Sequence, residues 1–368
     1  MGFQESESKE CRSLLDHNTQ YLLVSVIVPV YNASRVIEKL LLSLKENDYP
    51  SFEVLFVDDG STDNSVELIR KHGFEVIVCS ENQGQASARN KGIEQARGEI
   101  ICFFDADVIV HKNTISLLVD SLENNNCDAV SGNYEEESVD TDFFSRYYAY
   151  FKTVGHGEKV VTGHNILGTY CCAVRKNILD KVNGFKSFPP GMDIECEAIG
   201  WSLSEAGCKF VFDPTISVWH HFGGFVKILY IFSNRVFWFT RYSLIKSGES
   251  EKLEMRNTKT SLAVLFSMVS SFSFGISVTN ILINRSFSII ALLLLIIGTL
   301  FFGISGVLKI DFYRFCAKKQ GFWFLLKCLF ASELFFTIAG ISTICGVLIH
   351  IWYKLTRAKD ILKEVLES

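Results

Sequence analysis

The chain has 368 residues, a net charge of −5 and 11 scattered cysteines. That length suits one soluble domain plus a membrane segment, and an acidic balance without a large basic strip argues against nucleic acid as a partner. With no C-x-x-C spacing, the cysteines read as reduced, mostly buried small residues, not as a disulfide framework or zinc site.

Residues 1–21 form a polar tail, expected to be mobile and to contain no signal peptide. Its first six residues match the myristoylation pattern, too short a match to carry weight. An apolar strand, 24–32, ends in Pro29, Tyr31 and Asn32; Pro29 lacks the N–H a ladder needs and suits a strand end. A helix over 34–45 follows, with Ser34 as the expected N-cap and Ile37, Leu40, Leu41 and Leu44 on one face. A second strand, 52–57, closes in Asp58, Asp59, Gly60, Ser61, Thr62 and Asp63. Then come a helix (64–72), a strand (75–79), a helix (85–96) and the apolar run 100–104. This βαβαβαβ alternation predicts a parallel sheet covered by helices.

The run 100–104 leads into Asp105-Ala106-Asp107. Strand side chains alternate, so both carboxylates point the same way at the strand's C-terminal end. Open α/β sheets bind ligands at that edge. Two carboxylates there suit a hard divalent cation carrying a phosphorylated ligand. A lone D-x-D reads equally well as a solvated loop. Polar or acidic tips on three strands at one edge look like a site.

The strings VSVIVPVYNAS, VLFVDDGSTDNS, NQGQASARNKGIEQARGEIICFFDADV and TGHNILGTYCCAVRKNIL…GF resemble a family 2 glycosyltransferase of the GT-A fold over roughly residues 22–225. The resemblance implies an α/β, nucleotide-diphospho-sugar-transferase-like domain with a mixed, mostly parallel sheet and flanking helices. It implies that Pro29, Tyr31 and Asn32 line the base pocket of a nucleotide-sugar donor. Asp58 and Asp59 would approach base and ribose, without deciding which reads the base. Gly84 and Arg89 would sit beside ribose and phosphates, though Arg89 also reads as a surface helix arginine. Asp105 would hold ribose or a metal-bound water, and Asp107 would ligate Mg²⁺ or Mn²⁺. A cation there would act as a Lewis acid on the departing diphosphate.

In the second half of the domain, 129–132 reads as a strand and 135–142 as an acidic loop. His164 and Asn165 precede a small-residue strand, 168–174; the resemblance makes them acceptor-side candidates, and loop hydrogen bonding is their structural alternative. A helix is expected from Gly191 to Ala206, with Gly207 as its cap. The family usually has Glu-Asp here, the Asp acting as general base; this chain has Met192-Asp193. Asp193 is the first candidate and Glu195 the alternate. Acids at a helix start also simply favour the dipole. A positioned base is worth about 10²–10⁴-fold on an attacking hydroxyl. An anionic polyprenyl phosphate would need none. His220, with His221 as alternate, precedes Gly223 and Gly224, where the resemblance implies contact with metal or diphosphate.

The C-terminal third changes composition. No charge falls between Lys259 and Arg285, nor between Arg285 and Lys309. Each run exceeds the roughly 20 residues that cross hydrocarbon. A third run, 328–352, contains Glu333, whose central placement would cost about 2.5–3.5 kcal/mol; it is expected to reach an interface, a lipid acceptor or a partner helix. Three spans (260–283, 286–308 and 328–352) are expected within 259–353. Lys309, Arg314, Lys318, Lys319 and Lys327 place the loop after the second span, and hence the catalytic domain, in the cytoplasm. A third span would put the tail 354–368 outside, against its own Lys354, Arg357, Lys359 and Lys363; a re-entrant third segment is the alternative. Residues 226–258 read as an interfacial amphipathic helix and linker whose Lys227, Arg235, Arg241 and Lys246 meet anionic head groups, or as a helix packed on the catalytic domain.

The sequence therefore implies a multi-pass protein of the cytoplasmic (inner) membrane. It would be an inverting glycosyltransferase moving sugar from a nucleotide-sugar to a membrane-linked acceptor in contact with the lipid bilayer. That acceptor would be a polyprenyl phosphate, a lipid-linked saccharide or a glycolipid. The alternatives are a processive polysaccharide synthase, disfavoured by the missing Q-x-x-R-W motif, and a non-catalytic scaffold subunit. Donor sugar, linkage and oligomeric state stay open.

Overall fold

The computed structural model describes residues 21–157, 160–162, 167–247, 258–285, 288–356 and 358–367. β1 (Val24–Val30) is buried along its whole length, as its unbroken apolar run requires of a strand covered on both faces. It pairs in parallel with β2 (Phe52–Asp58) on one side and β4 (Ile100–Phe104) on the other. β3 (Val76–Val78) extends the parallel set beyond β2. Pairing of β1 with β4 stops at Ile27↔Phe103, so the missing N–H of Pro29 leaves no ladder bond unmade.

Beyond β4 the sheet becomes mixed. β8 (Cys171–Arg175) runs antiparallel to β4 and to β6 (Ala129–Tyr134). β9 (Phe210–His220) is parallel to β6 and antiparallel to β5 (Val108–Val110) and to the short β7 (Val161–Thr162). The order is β3-β2-β1-β4-β8-β6-β9-β5, with β7 on β9. Two apolar layers flank it: Ile37, Leu40, Leu118 and Leu122 on one face, Ile93, Leu179, Ile199 and Leu203 on the other.

Two helix starts differ from expectation. The first helix is Ile37–Lys45, and Ser34 does not cap it. The chain leaving β1 is bound to the 58–65 loop first: Asn32 N donates to Ser61 Oγ, Ala33 N to Ser65 Oγ and Ser34 N to Asp63 Oδ2. Helix can begin only beyond those ties. The later helix is Glu195–Glu205, one turn shorter than expected. Met192 N closes a turn on Pro189 O, and Gly191 takes a φ of +91°, open to glycine but not to a helix.

After β9 the chain forms Gly224–Tyr230, a π-helical turn Ile231–Arg235 and Val236–Ser247. Helices Thr258–Asn284 and Ile289–Leu308 pack as a hairpin. Ile310–Gln320, the 35-residue helix Phe322–Thr356 and Ile361–Glu367 complete the chain. Among the described residues, three helices are long and apolar enough to cross a membrane. The ten cysteines of the described residues are unpaired.

Candidate active site

β4 ends at Phe104, so Asp105 and Asp107 occupy the turn into β5, not the strand. Antiparallel pairing sets Val108 opposite His220. That register brings the last residue of β9 to the turn. One ligand atom each from Asp105, Asp107 and His220 lies within 4.8 Å of the others. His220 Nε2 is 3.3 Å from Asp107 Oδ1, and its buried Nδ1 has no partner. Burial alone would raise the Asp107 pKa; His220 and Lys227 outweigh it and hold the carboxyl below its ordinary value. His221 turns away: its Nδ1 is 3.0 Å from Asp140 Oδ1, while its backbone N–H donates to Asp107 O. His220 alone of the pair joins the cluster.

Arg89 is not the surface arginine that one of its two readings predicts. Its side chain is 0% exposed. From helix Gln85–Gln95 it donates to Asp105 (2.8 Å), to Gln85 Oε1 (3.0 Å) and to Glu195 (3.4 Å), with Phe185 5.5 Å from its guanidinium. Arg89 thus fixes two carboxylates from beneath the site.

The two aspartates of the 58–63 loop differ in the same way. Asp59 is 3% exposed, and its oxygens accept from Gln83 N (3.0 Å) and Gly84 N (2.7 Å). Burial raises its pKa despite those bonds. Asp58 accepts from Ser61 N on Oδ2, and its buried Oδ1 has no partner. Gly60 permits the loops to meet: a Cβ there would lie 2.8 Å from the Glu81 carbonyl carbon, and φ is +75°. Pro29 is buried within β1, Tyr31 is exposed, and Asn32 adopts a left-handed φ of 49° with its Oδ1 accepting from Thr62 N. Of these three, only Tyr31 and Asn32 present surface at the sheet edge.

Asp193 sits before its helix, half-buried, near the Tyr230 hydroxyl, which donates to Gly191 O at 3.5 Å and accepts from Asn234 Nδ2 at 2.8 Å. Burial, with Asp193 adding to it, pushes that phenol up to about 12. Glu195 is buried, and burial raises its pKa although Arg89 opposes the shift. His164 and Asn165 lie outside the described residues.

Several site residues escaped the sequence reading. Tyr134 stacks on Tyr170 at 3.8 Å and meets His220 edge-on at 5.2 Å. Lys152 lies over Tyr134 and Tyr148 at 5.7 and 5.9 Å, and burial pushes its pKa down to about 8. Arg235 and Arg241 are open to two readings from sequence, at lipid head groups or on a helix packed against the catalytic domain; Arg235 grips Glu197 at 3.0 and 3.3 Å, and Arg241 is 3% exposed and paired with Asp360. No local spacing marks Lys152. The charge balance of 224–247 against helix Glu195–Glu205 was the one available signal for Arg235.

Residues 25–182 match the family model described as Glycosyl transferase family 2. Over that stretch the chain is similar to family 2 glycosyltransferases. Glycosyltransferase AglE of Haloferax volcanii is 32% identical over 169 residues, 44% of this chain and 55% of that protein. Glycosyltransferase GlyG of Streptococcus pneumoniae is 36% identical over 117 residues, 30% of this chain and 39% of that one. The chain spans about half the length of such curated relatives. Mannosyltransferase PcManGT of Pyrobaculum calidifontis, solved with GDP-Man and Mn²⁺, shares the fold: TM-score 0.52, 17% identity, covering 95% of this chain and 94% of that one. The GT-A architecture follows.

Proposed function

We propose that this glycosyltransferase is membrane-anchored, metal-dependent and inverting, and that it moves sugar from a nucleotide-sugar to a membrane-linked acceptor. The Asp105–Asp107–His220 cluster at the C-terminal edge of the parallel strands carries the reading. Two carboxylates and an imidazole fit a divalent ion, and the nitrogen donor favours Mn²⁺ over the strictly oxygen-seeking Mg²⁺. Such an ion supplies Lewis-acid stabilisation of the departing nucleotide diphosphate. The free Oδ1 of Asp58 is the better acceptor for a base N–H, because Asp59 is committed to the 83–84 backbone. Tyr31 offers its exposed ring as a face for the base.

Asp193 is the better general base of the two candidates. It is half-buried, not sealed off, and no salt bridge holds it among the described residues, so it is the freer carboxylate to take a proton from an acceptor hydroxyl. Glu195 is held by Arg89 and serves to position it. Lys152, which lies over Tyr134 beside His220, supports an acceptor carrying a phosphate. With that acceptor no proton need be removed, and Asp193 orients instead. The apolar helices support membrane anchoring, and the basic residues after the second one support a cytoplasmic catalytic domain.

The test is nucleotide diphosphate release by purified protein from UDP-, GDP- and dTDP-sugars with Mn²⁺ or Mg²⁺, with and without polyprenyl phosphate. Metal-dependent release that rises with lipid is expected. The variant Asp107→Ala should lose activity by about 10²-fold or more while keeping its fold. Full activity there would overturn the metal role. A ladder of product lengths would favour a processive synthase, and nucleotide binding without turnover a scaffold.

A further inference from the structure

We propose that helix Phe322–Thr356 lies along the membrane surface without crossing it. The chain then crosses the bilayer twice, through the hairpin Thr258–Asn284 and Ile289–Leu308. The C-terminal helix Ile361–Glu367 stays on the catalytic side. This rests on the membrane reading above and replaces three spans with two.

The contacts at the two ends of the helix carry the argument. Near its start, Phe324 packs on Phe143 and Tyr150, with ring centroids 5.1 and 5.7 Å apart. Just upstream, Lys319 pairs with Glu136. Near its end, Tyr353 lies 4.9 Å from the Arg241 guanidinium, and a Cβ at Gly346 would lie only 3.2 Å from Phe237 O. Past it, Asp360 pairs with Arg241, Leu362 is buried among Phe188, Met192, Ile194 and Ala198, and Lys186 donates to Leu366 O. Glu136, Phe143, Lys186 and Met192 all belong to the catalytic domain. A crossing helix carries its ends to opposite sides of about 30 Å of hydrocarbon. One water-facing domain cannot hold both.

The surface of the helix agrees. Trp323, Phe330, Ile341, Leu348 and Leu355 are all exposed, and their spacings of seven and eleven residues, two and three helical turns, set them on one stripe. Cys328, Ser332, Phe335, Ala339 and Gly346 are buried on the opposite face. One long face meets protein and the other offers apolar side chains, the pattern of a helix set into a bilayer surface. An apolar stripe of that length on a soluble surface would be an association hazard. The helix is unbroken for 35 residues, about 52 Å, so it contains no turn with which to re-enter.

Charge agrees as well. Glu333, about a third of the way along the helix, is 3.9 Å from Nζ of Lys309, the residue directly after the second span. That part of the helix therefore sits at the level where the hairpin leaves the membrane, not at the bilayer centre. Lys318, Lys319 and Lys327 at one end and Lys354, Lys359 and Lys363 at the other then share one side, as the charge rule for loops prefers.

Protease-cleavable tags placed before Met1, after Ser368 and between Arg285 and Ser288, one per full-length protein, test this in sealed vesicles of both orientations. The N- and C-terminal tags should be cleaved in the same vesicles and the hairpin tag only in the opposite ones. A C-terminal tag cleaved together with the hairpin tag would overturn the proposal and leave membrane anchoring intact. Release of the protein by alkaline carbonate without detergent would overturn both. Should the hairpin tag prevent folding, the two terminal tags still decide, since three spans separate them and two do not.

Discussion

Arg89 owes its place to partners far along the chain. Its side chain is buried, and three of its N–H groups donate to Glu195, Gln85 and Asp105. A buried guanidinium between two carboxylates resists substitution, because removing one partner strands charges in a poor solvent at a cost of about 3–5 kcal/mol. Arg89→Lys keeps the charge but cannot reach Asp105, Gln85 and Glu195 together. We expect a lower unfolding midpoint and reduced turnover, with donor KM changed less than kcat; unchanged kcat would mean that Asp105 and Glu195 hold position unaided. Asp63 offers a cleaner pH signal. Burial alone would raise its pKa, but hydrogen bonds from Ser65 and Ser34 prevail and hold it at about 2, against 3.8 when free. A depressed carboxyl stabilises the fold above its unfolded pKa, and that contribution disappears as pH falls from 3.8 through about 2. In Asp63→Asn the acid-side slope of stability should flatten over that window, as equilibrium denaturation at several pH values would show.

At the level of elements, the site is an outcome of register. β5 and β9 must pair Val108 with His220 for the imidazole to meet two aspartates more than a hundred positions earlier. The turn 189–194, which presents Asp193, is likewise defined by its neighbours: Asn234 donates to Gly191 O at 2.6 Å, and Tyr230 lies near Asp193. The C-terminal helix packs beneath the same turn through Leu362. Asp360→Ala would leave Arg241 buried without its carboxylate, so this helix should undock. We expect earlier proteolysis after residue 356 and weaker acceptor use, with metal-dependent donor hydrolysis nearly retained. Proteolysis at the wild-type rate would show that Leu362 and Lys186 hold the helix without the ion pair.

For the whole molecule, the chain runs from the domain with the sheet-edge site through the helices of 224–247 to a hairpin of apolar helices. A lipid-linked acceptor would approach the site along the surface that 224–247 and 322–356 share. The sequence was sufficient for the parallel half of the sheet, because unbroken apolar strands alternating with one-faced helices admit few other folds. It was sufficient too for the hairpin of apolar helices, since a run of more than 20 uncharged residues is a local property. Tertiary structure alone decided which histidine joins Asp105 and Asp107, which aspartate keeps a free oxygen, and where Arg89, Arg235 and Arg241 find their carboxylates. The reason is physical: hydropathy and periodicity are written over a few neighbouring residues, whereas a buried charge is satisfied by whatever partner the fold brings to it, here from as far as 119 positions away.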